Sequence, residues 1–211
     1  MKYKGIIFDL DGVICSTDEY HYQAWKALAD RLGIPFDRER NNLLRGVSRM
    51  ESLNIILEKS EIAYTEEEKL AFAEEKNNTY RQLLARMSTA DLSEEVENAL
   101  HHFKRKGLKL AIGSSSKNAP YILEKIGLAD FFQAVADGNG ITHSKPHPEV
   151  FLLAADMISL APKDCLVVED AHAGVEAAVA GGFDCAAMGD AKSSPEAKYH
   201  LESFGDLLDI V

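Results

Sequence analysis

The chain has 211 residues, 46% of them hydrophobic, enough for one large domain or for a domain plus a smaller one. A formal net charge of −11 and a pI near 5.1 argue against nucleic acid or an anionic membrane surface as partner. They leave an anionic small molecule open, because a local basic cluster can override the global field.

Residues 5–9 form the first apolar run, which reads as a short buried strand breaking into a turn at Gly12. Its end carries Asp9 and Asp11. Two carboxylates one residue apart repel each other, and a fold tolerates this only with a cation or a basic partner. A surface turn would explain Asp11-Gly12, but not Asp9, which follows Ile-Ile-Phe directly.

Helical patterns follow at 18–32, 48–59 and 66–87. Further strands at 108–113, 134–137, 165–169 and 183–188 are separated by helical patterns at 118–126, 149–158 and 173–180. This alternation predicts a parallel sheet with right-handed crossovers. Residues 16–90 are too long for one crossover. The expected fold class is therefore α/β: a Rossmann-like parallel-sheet core from residues 1–15 and 91–211, with an inserted α-helical cap domain at 16–90. Ligands in such sheets sit beyond the carboxyl ends of the strands, where this insertion leaves and would cover them.

The second strand ends in Gly113-Ser114-Ser115-Ser116-Lys117-Asn118, a serine cluster opening a helix. Hydroxyls and free N–H groups there suit a phosphate. Simple N-capping by Ser116 is the plainer alternative, although capping needs only one serine. In His143-Ser144-Lys145-Pro146-His147-Pro148, Pro146 restricts Lys145 to extended backbone, so the loop can hold a fixed positive charge. Taken alone, Lys145 also reads as a surface lysine. His143 and His147 carry little signal as ligands, since loop histidines are commonly exposed. The fourth strand ends in Glu169-Asp170, repeating the acids of the first. Asp9, Asp11, Glu169 and Asp170 together form an oxygen-only set that favours Mg²⁺.

The combination resembles the haloacid dehalogenase superfamily of phosphotransferases and, within it, the β-phosphoglucomutase family. The resemblance spans nearly the whole chain: Asp9-Leu10-Asp11-Gly12-Val13, Ser114, Lys145 and Glu169-Asp170 match the four motifs in order. It implies that Asp9 is the nucleophile, becoming an aspartyl phosphate, and that Asp11 is the general acid/base. It implies that Ser114 and Lys145 hold the transferring phosphoryl. Mg²⁺ would sit on Asp9, the carbonyl of Asp11, Glu169 and Asp170.

Thr17, His21 and Trp25 lie at i, i+4 and i+8, on one stripe of one helix. By resemblance, His21 lies at the domain closure and engages the acid/base aspartate; without it, His21 reads as a buried core histidine. Arg45-Gly46-Val47-Ser48-Arg49 looks like the family's specificity loop, with Arg49 offering a planar fork to a second, non-reacting phosphate. Ser52 and Lys76 match substrate-side positions. The chain departs from the family in having Arg45 where lysine is usual, Asp91-Leu92-Ser93-Glu94-Glu95 where a proline-glycine pair is usual, and three serines in the second motif.

The expected reaction is interconversion of β-D-glucose 1-phosphate and glucose 6-phosphate, with β-glucose 1,6-bisphosphate as intermediate and activator. A sugar-phosphate phosphatase of the same fold is the nearest alternative. A phospho-aspartate receiver domain is a more distant one, since receivers lack the insertion. The scattered cysteines (Cys15, Cys165 and Cys185), with no signal peptide and no membrane-length apolar run, suit a cytoplasmic protein. A monomer is expected, acting on a small-molecule sugar phosphate.

Overall fold

The apolar runs become the strands of a parallel sheet. This computed structural model describes residues 2–211. The strands are β1 (Gly5–Phe8), β2 (Lys109–Gly113), β3 (Ala134–Ala136), β4 (Cys165–Glu169), β5 (Asp184–Ala187) and β6 (Tyr199–His200). Their order is β3-β2-β1-β4-β5-β6, and every pairing is parallel. β1 and β4 are buried along their whole length, the position in which a parallel strand must be apolar on both faces.

The helices are α1 (Asp18–Leu32), α2 (Arg38–Asn42), α3 (Arg49–Leu57), α4 (Glu66–Leu84), α5 (Glu94–Arg105), α6 (Ala119–Lys125), α7 (Glu149–Met157), α8 (His172–Ala180) and α9 (Leu207–Ile210). Side chains alternate across the sheet. Ile6, Phe8, Leu110, Ile112, Leu166 and Val168 pack on one face, under Leu100 and Phe103 of α5. Ile7, Ala111 and Val167 pack on the other, under Phe151 of α7 and Val175 of α8. Each fully buried side chain of this size contributes about 1.5–3 kcal/mol. The three cysteines are free and buried within these layers.

Helices α1 to α4 build a separate apolar cluster, including Trp25, Leu28, Phe36, Leu53, Ile56 and Ala73. Tyr80 and Leu84, near the end of α4, instead join the cluster on the α5 face of the sheet, as does Met87 just beyond it. The helical unit is thus rooted in the core at one end and has its own interior at the other. Its starts are set by local chemistry: the Ser48 hydroxyl and Glu51 carboxylate form a capping box at α3, and Thr65 and Glu68 form one at α4.

The short elements β6, α2 and α9 are not anticipated by the apolar pattern. Two to five residues are too few to show a period. The serine-acid stretch does start a helix: the Ser93 hydroxyl accepts the Val96 N–H at the N-terminus of α5. Among the described residues, no helix is long and apolar enough to cross a membrane.

The chain runs from β1 outward through β2 to β3, then resumes at β4 on the other side of β1. The strand order therefore reverses between β1 and β4, and a crevice opens at the carboxyl ends there. The two acidic strand ends face it together.

Candidate active site

Asp9 is fixed at the strand end by its own N–H, which donates to the Val168 carbonyl at 2.9 Å. Its carboxylate accepts a hydrogen bond from Lys145, whose ammonium also donates to Glu169. The other oxygen of Glu169 accepts the N–H groups of Asp170 (2.9 Å) and Ala171 (3.0 Å). Glu169 thus secures both the lysine and the entry to α8. Gly174 makes room for it, since an added Cβ would lie 2.0 Å from the carboxylate. The Lys145–Pro146 peptide bond is cis.

The carboxylates of Asp9, Glu169 and Asp170 present oxygens within 4.8 Å of one another, all buried. Burial pushes Asp9 up to about 8, against the pull of Lys145. Burial, reinforced by Glu169 and Asp9, pushes Asp170 up to about 9. Burial alone would lower Lys145, but Asp9 and Glu169 outweigh it and hold the ammonium above the usual lysine range. One buried lysine faces three buried acids, so the donor set fits a small hard cation such as Mg²⁺. Gly12, at φ +89°, lies against this group: a Cβ there would come within 2.2 Å of the Asp170 carboxylate.

The Asp11 carboxylate is not part of that cluster. It accepts a hydrogen bond from the Thr17 hydroxyl, at the start of α1, and burial raises its affinity for a proton. The resemblance assigns His21 to this contact; the structure gives it to Thr17. His21 lies one turn further along α1 and reaches α4 instead. Its Nδ1 is 3.1 Å from the Lys76 ammonium, and its ring lies 4.1 Å from that of Tyr80. Burial holds His21 well below the ordinary histidine range, so the ring is neutral, and its Nδ1 accepts from Lys76. Lys76 is also over the rings of Trp25 (4.6 Å) and Tyr80 (4.4 Å), and burial lowers it well below the ordinary lysine range.

At the end of β2, the Ser114 hydroxyl accepts the Ser116 N–H at 3.1 Å, and the Ser116 hydroxyl accepts the Asn118 N–H at 3.2 Å. Consecutive side-chain turns shape the loop. The residue flanking α6 is Asn118, so Ser116 is not its N-cap. The helical unit closes over the core at four places, two of them on this loop. Ser115 donates to the Gly46 carbonyl (3.2 Å), Asn118 to Asn77 (3.1 Å), and Ser144 to Glu51 (2.5 Å). Arg45 pairs with Asp18 of its own unit and with Asp190 (3.1 Å) and Asp170 (3.5 Å) of the core. Gly46, at φ +76°, permits the approach: a Cβ would lie 3.3 Å from that of Ala171.

One cavity of about 470 Å³ lies between the two units. The sequence-predicted site residues line it, from Asp9, Asp11, His21 and Trp25 through Arg45, Gly46, Val47, Ser48, Arg49, Ser52 and Lys76 to Ser114, Ser115, Ser116, Lys117, Asn118, Lys145, Glu169 and Asp170. Thr17 is not in the cavity wall and stands behind Asp11, to which its hydroxyl donates. Among the described residues, the basic side chains of this cavity that form ion pairs are Lys145 and Arg45; Arg49 and Lys76 form none.

A model of the haloacid dehalogenase-like hydrolase family matches residues 3–182. The chain belongs to the haloacid dehalogenase-like hydrolase family. It is 39% identical over 206 residues to a β-phosphoglucomutase of Bacillus subtilis, covering 97% of this chain and 91% of that one. It is 31% identical to a fructose-1-phosphate phosphatase of Escherichia coli, covering 87% and 95%. Among solved structures, a β-phosphoglucomutase of Clostridium difficile superposes with a TM-score of 0.92 at 38% identity, over 97% of this chain and 93% of that one.

This haloacid dehalogenase-like enzyme also uses residues that sequence reasoning passed over. Asp18 and Asp190 pair with Arg45, Tyr80 stacks beside His21, and Asn77 and Glu51 meet the core loops. Each is an ordinary helix or loop residue in sequence. Only Tyr80 sits where a signal existed, one turn beyond Lys76 on the same face of α4.

Proposed function

We propose that the enzyme is a β-phosphoglucomutase, interconverting β-D-glucose 1-phosphate and glucose 6-phosphate through phospho-Asp9 and β-glucose 1,6-bisphosphate. One observation carries this reading. The cavity has two cationic ends: Lys145 beside Asp9, and Arg49 on the helical unit, which forms no ion pair among the described residues and has the charge of Glu74 in its favour; Lys76, whose charge burial disfavours, stands in the same wall bonded to His21. A monophosphate hydrolase needs one phosphate clamp. A bisphosphate intermediate that must turn over needs a place for each end.

In this mechanism the unit at 16–90 acts as a cap that excludes water. Phospho-Asp9 donates its phosphoryl to a hydroxyl of the bound sugar phosphate. The new P–O bond forms as the bond to Asp9 breaks, and Asp11 takes the hydroxyl proton. The bisphosphate then presents its other phosphoryl to Asp9. As that P–O bond to sugar breaks, Asp11 returns the proton to the departing oxygen. Raised proton affinity suits Asp11 to the second role, and Thr17 holds its carboxylate in place. Ser114 and Lys145 hold the moving phosphoryl. Asp9, Glu169, Asp170 and the Asp11 carbonyl would hold Mg²⁺, which when bound offsets the repulsion between phosphate and carboxylate.

The E. coli fructose-1-phosphate phosphatase relative favours a second reading, in which water discharges phospho-Asp9. Arg49→Ala separates the two. Under the mutase reading it slows sugar-phosphate turnover by roughly 10- to 100-fold or more while hydrolysis of acetyl phosphate, which has no second phosphate, is little changed. Equal losses in both would contradict the second clamp. Asp9→Asn should abolish the acid-stable, base-labile phosphoenzyme under either reading.

A further inference from the structure

The loop that carries Lys145 holds a second set of metal-ligating side chains, which the mechanism leaves unused. His143, His147 and Glu149 each offer one donor atom, and the three lie within 4.8 Å of one another. Glu149 Oε2 is 3.1 Å from His143 Nδ1 and 3.9 Å from His147 Nδ1. The two imidazole rings face each other with centroids 4.7 Å apart and planes tilted by 36°. A tetrahedral ion with ligands at about 2.0–2.1 Å needs donor–donor edges of about 3.3 Å. The two measured edges bracket that length.

Glu149 is set before any ion arrives. Its carboxylate accepts the N–H groups of Thr142 (2.9 Å) and His143 (2.8 Å), and it is the first residue of α7. One ligand therefore stands on a rigid element, and the loop bends back onto it. The histidine side chains are 65% and 53% exposed; without an ion, His143 Nδ1 bonds to Glu149 Oε2 at 3.1 Å and His147 Nδ1 accepts the Glu149 N–H at 3.3 Å, contacts that an ion would replace. The two histidines border a surface groove whose far side is formed by Ser48 and Glu51 of the cap.

Donor chemistry separates this cluster from the buried one. Asp9, Glu169 and Asp170 are all oxygen and suit Mg²⁺. Two imidazoles and one carboxylate suit a borderline divalent transition metal and offer little to Mg²⁺.

We propose that His143, His147 and Glu149 form a second, surface site for a divalent ion of the Zn²⁺ class, with an open coordination position facing the seam between cap and core. An ion there fastens both flanks of Lys145 to α7, since His143 and His147 stand two residues to either side of it. It also sits next to Ser144, whose hydroxyl ties this loop to Glu51 of the cap.

The test is a Zn²⁺ titration of the full-length protein in excess Mg²⁺, followed by dialysis and metal analysis, with Co²⁺ as the optical probe of geometry. The wild type is expected to retain one Zn²⁺ and to give intense tetrahedral Co²⁺ bands. His143→Asn/His147→Asn should lose both signals, as should His147→Gln alone, which serves if the double variant does not fold. Asp170→Asn, which disables the buried acids, should keep both. The proposal is overturned if the wild type retains no Zn²⁺, if the histidine variants retain it, or if Asp170→Asn loses it. None of these readouts depends on the sugar-phosphate reaction.

Discussion

Arg45, on the cap, lies 3.5 Å from the carboxylate of Asp170, at the end of β4 in the core. The same guanidinium reaches Asp190 at 3.1 Å and pairs with Asp18 at the start of α1. A planar guanidinium presents its donors in fixed directions, and here it meets three acids at once. Arg45 thus joins the loop at 45–49 to the acid cluster and draws Asp18 and Asp190 into the same contact. Arg45→Ala removes the charged tie and leaves the three neutral or single-bond contacts of Ser115, Asn118 and Ser144. The variant is expected to sample a more open form, seen as a larger radius of gyration by small-angle scattering and faster proteolysis at the cap connections. An unchanged radius and cleavage rate would count against Arg45 as the closing contact.

The buried acids make stability depend on pH and on metal. Asp9 at about 8 and Asp170 at about 9 stand far above the ordinary 3.8. Between these limits the folded protein holds protons that the unfolded chain releases, so stability without a divalent cation falls as pH rises. A cation among the carboxylates relieves that loss. The melting midpoint of chelator-treated protein is expected to decline from about pH 6 to about pH 9, with added Mg²⁺ raising it more at the higher pH. A metal-free midpoint that climbs over this range would be inconsistent with buried, cation-seeking acids.

Gly174 tests how tightly Glu169 is set. By helix propensity alone, alanine at this position of α8 would stabilise by about 1 kcal/mol. The Cβ, however, would lie 2.0 Å from the Glu169 carboxylate, which holds Lys145 and the N–H groups opening α8. Overpacking of this kind costs about 1–3 kcal/mol. Gly174→Ala is expected to lower the melting midpoint and to slow phosphoenzyme formation. A stabilised, fully active variant would show that the carboxylate can move freely.

Asp11→Asn keeps an acceptor for the Thr17 hydroxyl, so the fold and the start of α1 should survive. The amide has no proton-transfer role, and a lost general acid/base typically costs about 10²–10⁴-fold in rate. Sugar-phosphate turnover is expected to fall by that order while the melting midpoint holds. A loss under about threefold would remove Asp11 from proton transfer.

Much of this was legible in sequence for one reason: a buried parallel strand must be apolar, so a polar residue immediately after it announces itself. Asp9 after Ile-Ile-Phe, Ser114 after Ala-Ile-Gly and Glu169 after Leu-Val-Val are such residues, and the reversal between β1 and β4 gathers them. Partners that meet only through tertiary packing left no such trace. Asp18 and Asp190 look like surface acids until Arg45 reaches them. The Thr17-His21-Trp25 stripe showed which face of α1 mattered, but not that Thr17 would serve Asp11 while His21 turned to Lys76. That division depends on where α4 crosses α1, which no local pattern records. His143 and His147 read as ordinary loop histidines because their alignment with Glu149 arises from the fold of the loop back onto α7.

In the proposed mutase reaction a second sugar hydroxyl, and not water, discharges phospho-Asp9. The most direct measurement supplies β-glucose 1-phosphate, Mg²⁺ and a trace of β-glucose 1,6-bisphosphate, then follows glucose 6-phosphate and free phosphate in the same sample. Glucose 6-phosphate should accumulate with the sugar consumed, and free phosphate should stay far below it. Phosphate released at the rate of sugar turnover would contradict the mutase and leave a phosphatase.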